Sequence, residues 1–284
     1  MGVCGVIKLG ELEWHRAMGG LLSALDQGDF WLRLTRVLEQ YVQFDSWVVL
    51  RFGAQERPLV LAEIAQDDGL PDPLFEDYLK GLYVLDPFYI AARETRRQGL
   101  VHLDEVAPDR FKSTEYYQRY FRLNIVEDEV QFNCLVEDDA MLCLSLGSHR
   151  RIAPAEMAML SVLSQWLVPL MGQRWRHEQR RLTSLGAACT VPAREINDFD
   201  LRNTSLSTRE LEISRLMLSG HSSKGIAQRL GISAETVKVH RKHAYVKLGI
   251  NSQHELFALF MSNRLGERPE SAADVQVQQT KKSA

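Results

Sequence analysis

The sequence predicts an α+β domain built as an α-β-α sandwich, followed by an all-α domain of four helices. The chain has 284 residues, more than one hydrophobic core usually supports. Residues up to about 182 mix strand and helix patterns, whereas residues 204–265 carry only helical ones. The charge also differs: residues 206–264 hold nine Lys or Arg against four Asp or Glu, and the rest of the chain holds 25 against 33.

The composition is that of an ordinary globular protein, with 45% hydrophobic and 25% charged residues. We find no signal-peptide pattern and no apolar run long enough to span a bilayer, so we expect a cytoplasmic protein with no membrane segment. The four cysteines, Cys4, Cys134, Cys143 and Cys189, lack paired metal spacing. Cys134 and Cys143 lie in apolar runs and are predicted to be buried thiols rather than a disulfide. No metal or cofactor is predicted.

The first domain is predicted to contain ten elements in the order α-α-β-β-α-β-α-β-β-α. These are two helices within 11–43, strands at 44–52 and 59–64, a helix and turn over 73–92, a strand at 100–103, a helix at 114–122, strands at 126–136 and 141–146, and a helix at 154–181. Consecutive hairpins indicate an antiparallel sheet that the terminal helices cover on one face. This order is typical of sensor sandwiches of the GAF, PAS or autoinducer-binding kind.

Such domains usually hold a pocket between the sheet and the helices of the other face. The predicted ligand-binding residues are Trp47, Tyr78, Tyr83, Asp86, Tyr89 and Tyr116, with Phe88, Tyr117 and Tyr120 as further candidates for the lining. Aromatic residues at helical spacing also fill ordinary cores, and that alternative stays open. Asp86 has two interpretations as well: it accepts a hydrogen bond from a ligand amide or amine, or it caps a helix that starts at Pro87.

The last helix of the domain repeats leucine at Leu160, Leu163, Leu167 and Leu170. This spacing fits either a seam between two copies of the chain or a stripe packed on the sheet. The charged segment 174–181 beyond it is predicted to be exposed to solvent. We interpret residues 1–182 as a sensor and dimerisation domain, 183–203 as a linker and 266–284 as a disordered tail.

Residues 206–261 carry the start and stop signals of four helices. N-cap residues are predicted at Ser207, Ser222, Ser233 and Ser252, and glycines that end helices or turns at Gly220, Gly231 and Gly249. Ser207 with Glu210 also forms a capping-box pattern. Gly231 supplies the positive φ of a tight turn, so the second and third helices form a helix-turn-helix unit. Val237, Ala244, Val246 and Leu248 are predicted to face inward from the third helix.

The outward face of that third helix carries polar and basic side chains. A B-DNA major groove admits one α-helix, where Lys and Arg meet base acceptors and Val meets a thymine methyl group. Thr236, Lys224 and the helix N-termini suit phosphates. We therefore predict that this stretch binds double-stranded DNA.

The motifs Leu206-Ser-Thr-Arg-Glu210, Gly220-His-Ser-Ser-Lys-Gly-Ile-Ala227, Leu230-Gly-Ile-Ser233, Thr236-Val-Lys-Val-His240 and Lys247-Leu-Gly-Ile250 together resemble the LuxR/NarL-type helix-turn-helix domain. The resemblance implies base contacts by Lys238, Val239 and Lys242. It implies backbone contacts near Lys224, Ser233 and Thr236, and we add Arg241 from the same outward face. Gly225 and Gln253 depart from the family pattern, which commonly has an acidic residue and an Arg at these positions.

The segment Tyr83-Val-Leu-Asp86-Pro87 resembles part of the autoinducer-binding signature of quorum-sensing regulators. The family's tryptophan downstream of Asp-Pro is missing, since no Trp lies between Trp47 and Trp166. An acyl-homoserine lactone and another small metabolite therefore both stay open as the ligand.

These observations predict a transcription regulator that is not an enzyme. Its expected partners are DNA, a second copy of the chain, a small-molecule ligand and, for an activator, RNA polymerase. A regulator whose first domain is purely structural or binds a protein is the alternative that stays open, and two others are disfavoured. A phosphorylated receiver domain is disfavoured because the chain starts with amphipathic helices. An enzymatic first domain would draw on carboxylates at 127–129 and 137–139 with His102 and Asp104, but nothing organises them into a catalytic set.

Overall fold

The computed structural model describes residues 12–53, 56–64, 73–125, 127–137, 139–184 and 205–265. The predicted linker, apart from its first two residues, and the predicted tail lie outside the described residues. The first domain contains helices α1 Leu12–Ser23, α2 Phe30–Leu38, α3 Pro73–Lys80, α4 Pro87–Glu94, α5 Leu103–Val106, α6 Arg122–Asn124 and α7 Pro154–Ser184. Its strands are β1 Ser46–Phe52, β2 Leu59–Glu63, β3 Gly99–His102, β4 Asp128–Glu137 and β5 Ala140–Ser148.

The five strands form one antiparallel sheet in the order β2-β1-β5-β4-β3. Strands β4 and β5 are a hairpin in which Gln131 lies opposite Ser145 and Asn133 opposite Cys143. Helices cover both faces, so the predicted sandwich is confirmed. An all-antiparallel sheet also argues against a receiver domain, whose sheet is parallel.

One face of the sheet is covered by α1, α2 and α7. Leu21, Phe30 and Leu34 pack there against Val49, Phe132 and the inward residues of β5. The four leucines of α7 belong to this core, and each is at most 6% exposed. They form a stripe packed on the sheet of their own domain, and each such side chain contributes about 2 kcal/mol through burial.

The other face is covered by α3 to α6 and by buried aromatic side chains. We name them the aromatic layer: Tyr78, Tyr83, Phe88, Tyr89, Phe111, Tyr116, Tyr117, Tyr120 and Phe121. The segment predicted as one short α-helix over 114–122 is instead a 3-10 turn at Phe111–Ser113, a π-helix at Tyr117–Phe121 and the single turn of α6. The aromatic residues of this segment are buried. The turn of a π-helix is wider than that of an α-helix, and here it spans Tyr117–Phe121.

The end of α7 corrects the prediction that residues 174–181 are exposed. Arg174, Trp175 and Glu178 are buried. The Arg174 guanidinium donates to the carbonyl oxygens of Leu25 and Gln27, both at 2.7 Å, and to the Glu178 carboxylate. A charged side chain can be buried when a partner charge and hydrogen bonds replace water. The two hydrogen bonds from Arg174 to the carbonyl oxygens hold the α1–α2 connection on α7.

The second domain consists of α8 Thr208–Leu218, α9 Ser223–Leu230, α10 Ala234–Leu248 and α11 Gln253–Leu265. These four helices match the predicted ones. In the described part of the chain, none of the helices is both long and apolar enough to cross a membrane.

Candidate nucleic-acid interface and sensor face

The helix-turn-helix unit is fixed by caps that the sequence predicted. The hydroxyl groups of Ser207, Ser222 and Ser233 accept hydrogen bonds from backbone N–H groups in the first turns of α8, α9 and α10. Gly231 adopts φ 64° between α9 and α10, a left-handed conformation that side chains other than glycine resist. These local bonds set where α10 starts and so which side chains face outward.

Helix α8 is joined to the C-terminal end of α10 by an ion pair. The Lys247 ammonium group donates to Glu210 Oε2 at 2.6 Å, and the same oxygen accepts from the backbone N–H of Ser207 at 2.7 Å. The bond from Lys247 and the capping bonds lower the pKa of Glu210 to about 2. The acid is therefore ionised throughout the neutral range and holds α10 against α8.

The outward face of α10 is exposed in the described structure. Lys238, Val239, Arg241 and Lys242 are all exposed, and Val239 is 51% exposed although it is apolar. Among the described residues, the partner of Lys238 is Glu235, in a surface ion pair at 2.7 Å. Val237 and Ala244 face inward as predicted, but Val246 is 74% exposed, so its inward assignment was wrong. The helix period carries position 246 away from the face shared by 237 and 244.

The start of α9 adds a second basic region. A cleft of about 520 Å³ is lined by Pro108, Asp109, His221, Ser222, Lys224, Gly225, Gln228 and Arg229. Helix α9 points its N-terminal end, with the positive end of the helix dipole, into this cleft. Burial and the neighbouring Arg229 lower the pKa of His221. Two of the residues in the cleft, Pro108 and Asp109, come from the first domain.

The first domain contacts the second through three carboxylates, Glu94, Asp109 and Glu115, which we name the acidic edge. Asp109 Oδ1 accepts from the Ser222 N–H at 2.9 Å. Glu94 pairs with Arg229 and Arg215, and Glu115 Oε1 lies 2.9 Å from His254 Nδ1. The bond with Ser222 is the main reason that the pKa of Asp109 is lowered. No local pattern in the sequence indicates the role of these residues, because their partners are more than 100 positions away.

In the first domain, Asp86 lies beneath the aromatic layer. It caps α4 by accepting from the Phe88 N–H at 2.8 Å, and its other oxygen accepts from the Tyr78 hydroxyl at 2.8 Å. Burial raises its pKa to about 6 against the lowering effect of these bonds. The capping interpretation is therefore confirmed.

The predicted ligand-binding residues do not all meet. Tyr78, Tyr83, Tyr89 and Tyr116 join Asp86 on one face of the sheet, and neighbouring rings such as Tyr83 and Tyr89 make edge contacts. Trp47 points to the opposite face and packs in the core beneath α1, α2 and α7. Its assignment to the same lining was wrong because side chains alternate along β1, and Trp47 falls out of phase with Val48 and Leu50.

Strand β4 carries a polar stripe beneath the aromatic layer that sequence analysis did not single out. Glu129, Gln131 and Asn133 point to that face and are at most 6% exposed. Gln131 Nε2 donates to Ser145 Oγ at 2.7 Å, but Gln131 Oε1 and Asn133 Oδ1 have no hydrogen-bond partner among the described residues. Burial and the nearby Asp86 raise the pKa of Glu129 well above its usual range. Buried acceptors without donors are costly to stability.

Two of the carboxylates considered for an enzymatic domain make structural contacts. Asp128 accepts hydrogen bonds from the backbone N–H groups of Glu129 and Ile152, which fixes the segment before α7. Asp139 pairs with Arg93 and Arg96. Among the residues described, no three His, Cys, Asp or Glu side chains gather as a metal site. Cys134 and Cys143 are buried free thiols, as predicted.

This combination of a sensor-like sandwich and a capped helix-turn-helix unit defines a class of DNA-binding regulators. The family model "Bacterial regulatory proteins, luxR family" matches residues 204–260. An HTH-type transcriptional regulator in the exeN 3′ region of Aeromonas salmonicida is 30% identical over 190 residues, which cover 63% of this chain and 94% of that protein. The chain belongs to the LuxR family of bacterial regulatory proteins.

Two further comparisons cover single domains. The oxygen regulatory protein NreC of Staphylococcus aureus is 41% identical over 83 residues, which are 25% of this chain and only 38% of NreC. The crystal structure of the LBD domain of VqsR from Pseudomonas aeruginosa matches with a TM-score of 0.55 and 39% identity, over 59% of this chain and 99% of that domain. The protein is thus a LuxR-type transcriptional regulator whose first domain resembles that LBD domain.

Proposed function

We propose that this regulator binds a two-fold symmetric DNA site as a homodimer, under the control of a small molecule held in its first domain. The observation that carries the proposal is the uncovered basic face of α10, next to helix N-termini held by caps. We assign residues 1–182 to sensing and dimerisation, 183–203 to the linker and 204–265 to DNA binding. The protein acts where the DNA is, in the cytoplasm, and we propose no enzymatic activity.

Lys238, Val239 and Lys242 are the proposed base-reading residues. Their exposure supports this role, because direct readout needs side chains that are free to reach base edges. The exposed pair of Lys238 with Glu235 contributes little to stability, so the ammonium group can exchange this partner for a base acceptor. The exposed Val239 offers an apolar contact to a thymine methyl group.

The proposed backbone contacts are Lys224, Ser233, Thr236 and Arg241. The Ser233 and Thr236 hydroxyl groups lie 2.8 Å apart at the start of α10, where the helix dipole favours a phosphate. Phosphate contacts position the helix without selecting a sequence. One recognition helix reads only a few base pairs, and a dimer on two half-sites doubles this number. An activator of this kind would also contact RNA polymerase.

The ligand site is proposed in the first domain, between the aromatic layer and the polar stripe of β4. Gln131 Oε1 and Asn133 Oδ1 support a ligand that carries hydrogen-bond donors, because they are buried acceptors without partners among the described residues. Asp86 accepts from the Phe88 N–H and the Tyr78 hydroxyl, and its carboxylate has further lone pairs for a ligand donor.

The DNA-reading role is tested by selecting duplexes from sheared host DNA with the full chain and sequencing them. We expect the wild type to enrich sites with two-fold symmetry and the Lys238→Ala/Lys242→Ala variant to enrich none. The matched control is Lys80→Ala/Lys112→Ala, which removes two exposed lysines of the first domain. Equal enrichment by the α10 variant, with its melting temperature unchanged, would disprove this assignment.

Dimerisation and ligand binding are tested by native mass spectrometry of the full chain purified from its host. We expect twice the chain mass plus a small-molecule adduct that is lost in Gln131→Leu/Asn133→Leu. A single chain without an adduct contradicts both proposals.

A further inference from the structure

The acidic edge contacts the DNA-binding domain where an anion is favoured. Asp109 Oδ1 accepts from the N–H of Ser222, the N-cap residue of α9. Lys224 and Arg229 line the same cleft. Free N–H groups, a helix dipole and basic side chains together suit an anionic oxygen, and a carboxylate of the first domain supplies one.

The other two carboxylates extend this match across the domain. Glu94 faces Arg229 of α9 and Arg215 of α8, and Glu115 faces His254 of α11. The acidic edge therefore meets basic groups on three of the four helices. The Arg119 guanidinium stacks 5.2 Å above the Phe257 ring of α11, which adds a cation–π contact between the two domains.

The backbones of the two domains also meet. The Arg110 N–H donates to the Gly220 carbonyl oxygen at 2.9 Å. Gly220 has φ 98°, and a Cβ there would lie 2.6 Å from Thr114 Cγ2 and 3.2 Å from Phe111 Cα. Only glycine permits this approach.

We propose that the acidic edge is an internal competitor of the DNA backbone. In the docked arrangement the Asp109 carboxylate takes the position of a phosphate at the start of α9, and DNA binds only after the first domain has left it. Lys238, Val239 and Lys242 stay exposed in the docked arrangement, so docking opposes backbone positioning rather than base reading. This proposal rests on the proposed DNA-binding function.

The residue at position 225 supports the competition. Gly225 lies in the first turn of α9, and a Cβ there would lie 3.3 Å from Asp109 Oδ1. A carboxylate at this position would face Asp109 at close range, and like charges at close range repel. The missing side chain at position 225 thus leaves room for the Asp109 carboxylate at the start of α9.

The test compares two neutralised full-length variants with the wild type. Glu94→Gln/Asp109→Asn/Glu115→Gln removes the acidic edge, and none of these residues is proposed to touch DNA. Glu39→Gln/Glu76→Gln/Asp104→Asn removes three carboxylates that make no contact with the second domain in any described ion pair or hydrogen bond, so the change in net charge is equal. Fluorescence anisotropy measures binding to a 30-base-pair duplex of arbitrary sequence at low salt, because phosphate contacts dominate non-specific binding.

We expect the acidic-edge variant to bind at least roughly fivefold more tightly than the control variant, since several weak ion pairs are lost from the docked state. Equal affinities for the two variants overturn the proposal while leaving the DNA-binding function intact. Failure of all three proteins to bind DNA contradicts the DNA-binding function as well.

Hydrogen exchange of the wild type gives a second readout that needs no variant. The Arg110 amide, which donates to Gly220 in the docked arrangement, should exchange faster when the protein is saturated with the same duplex. Unchanged protection of this amide in the DNA complex would show that docking and DNA binding coexist, and the proposal would be wrong.

Discussion

Asp86 illustrates, at the scale of single residues, how one side chain can be both structural and poised for a ligand. Its two oxygens hold the start of α4 and the Tyr78 hydroxyl. Burial raises its pKa from 3.8 to about 6. Because the pKa in the folded state lies above the value in the unfolded state, Asp86 favours folding most below about pH 4, and this contribution is lost as the pH rises through 6.

Asp86→Asn should remove this pH dependence. Asn still caps α4, although it loses one acceptor at every pH. We expect the stability of the variant relative to the wild type to improve by about 2 kcal/mol between pH 4.5 and 7.5. Urea titrations followed by tryptophan fluorescence measure it, because all five Trp residues lie between positions 14 and 175. A constant difference between the two proteins would mean that Asp86 keeps an ordinary pKa.

Local chemistry decided which residues could be predicted. The caps at Ser207, Ser222 and Ser233 act on N–H groups three positions away, so the sequence alone reveals them. The polar stripe of β4 was missed because alternation of polar and apolar residues usually indicates a strand with one face in solvent. Here the aromatic layer covers the polar face, and only the tertiary fold reveals that.

At the scale of elements, α7 is held by the buried pair of Arg174 and Glu178. The carboxylate accepts from the Arg174 guanidinium and from the Trp31 indole N–H at 3.1 Å. Arg174 thereby links α7 to the residues between α1 and α2. A buried ion pair contributes little more to stability than an apolar pair of similar volume would. Removing one partner, however, leaves the other charge buried without compensation.

Glu178→Ala should destabilise the first domain by about 3–5 kcal/mol because it leaves Arg174 buried without a partner charge. Replacing both residues, as Arg174→Met/Glu178→Leu, should cost less than the single change. Asp29→Ala, which breaks an exposed pair with Arg33, should cost under about 1 kcal/mol. Urea midpoints followed by tryptophan fluorescence compare the three variants, and equal midpoints would contradict the role of this pair.

Most elements could be predicted because their periodicity is local. The five strands and the four helices of the second domain match the sequence patterns. The π-helix at Tyr117–Phe121 could not be predicted, because its aromatic run fits several helical registers and packing selects one. The burial of Arg174 and Glu178 also escaped prediction, since a charged segment at a helix end is usually exposed.

At the scale of the whole molecule, the sequence predicted two domains of opposite charge but not their contact. The excess of Lys and Arg in residues 206–264 and of Asp and Glu elsewhere predicted a basic domain joined to an acidic part of the chain. Which carboxylates meet which basic groups depends on the position of segment 108–115 in space, and no local pattern encodes it.

The acidic edge has a consequence for how salt acts on DNA binding. Added salt weakens phosphate contacts because it reduces the free energy gained when counterions leave the DNA. The slope of log affinity against log salt therefore usually counts those contacts. Salt also screens the pairs of Glu94, Asp109 and Glu115 with the second domain, which frees that domain for DNA. The two effects oppose each other, so the wild type should show a shallower slope than Glu94→Gln/Asp109→Asn/Glu115→Gln. Anisotropy titrations from about 50 to 200 mM salt measure both slopes. Over this range six phosphate contacts lose about three decades of affinity. Parallel lines would mean that the slope of the wild type counts phosphates directly, and a steeper line for the variant means that it undercounts them.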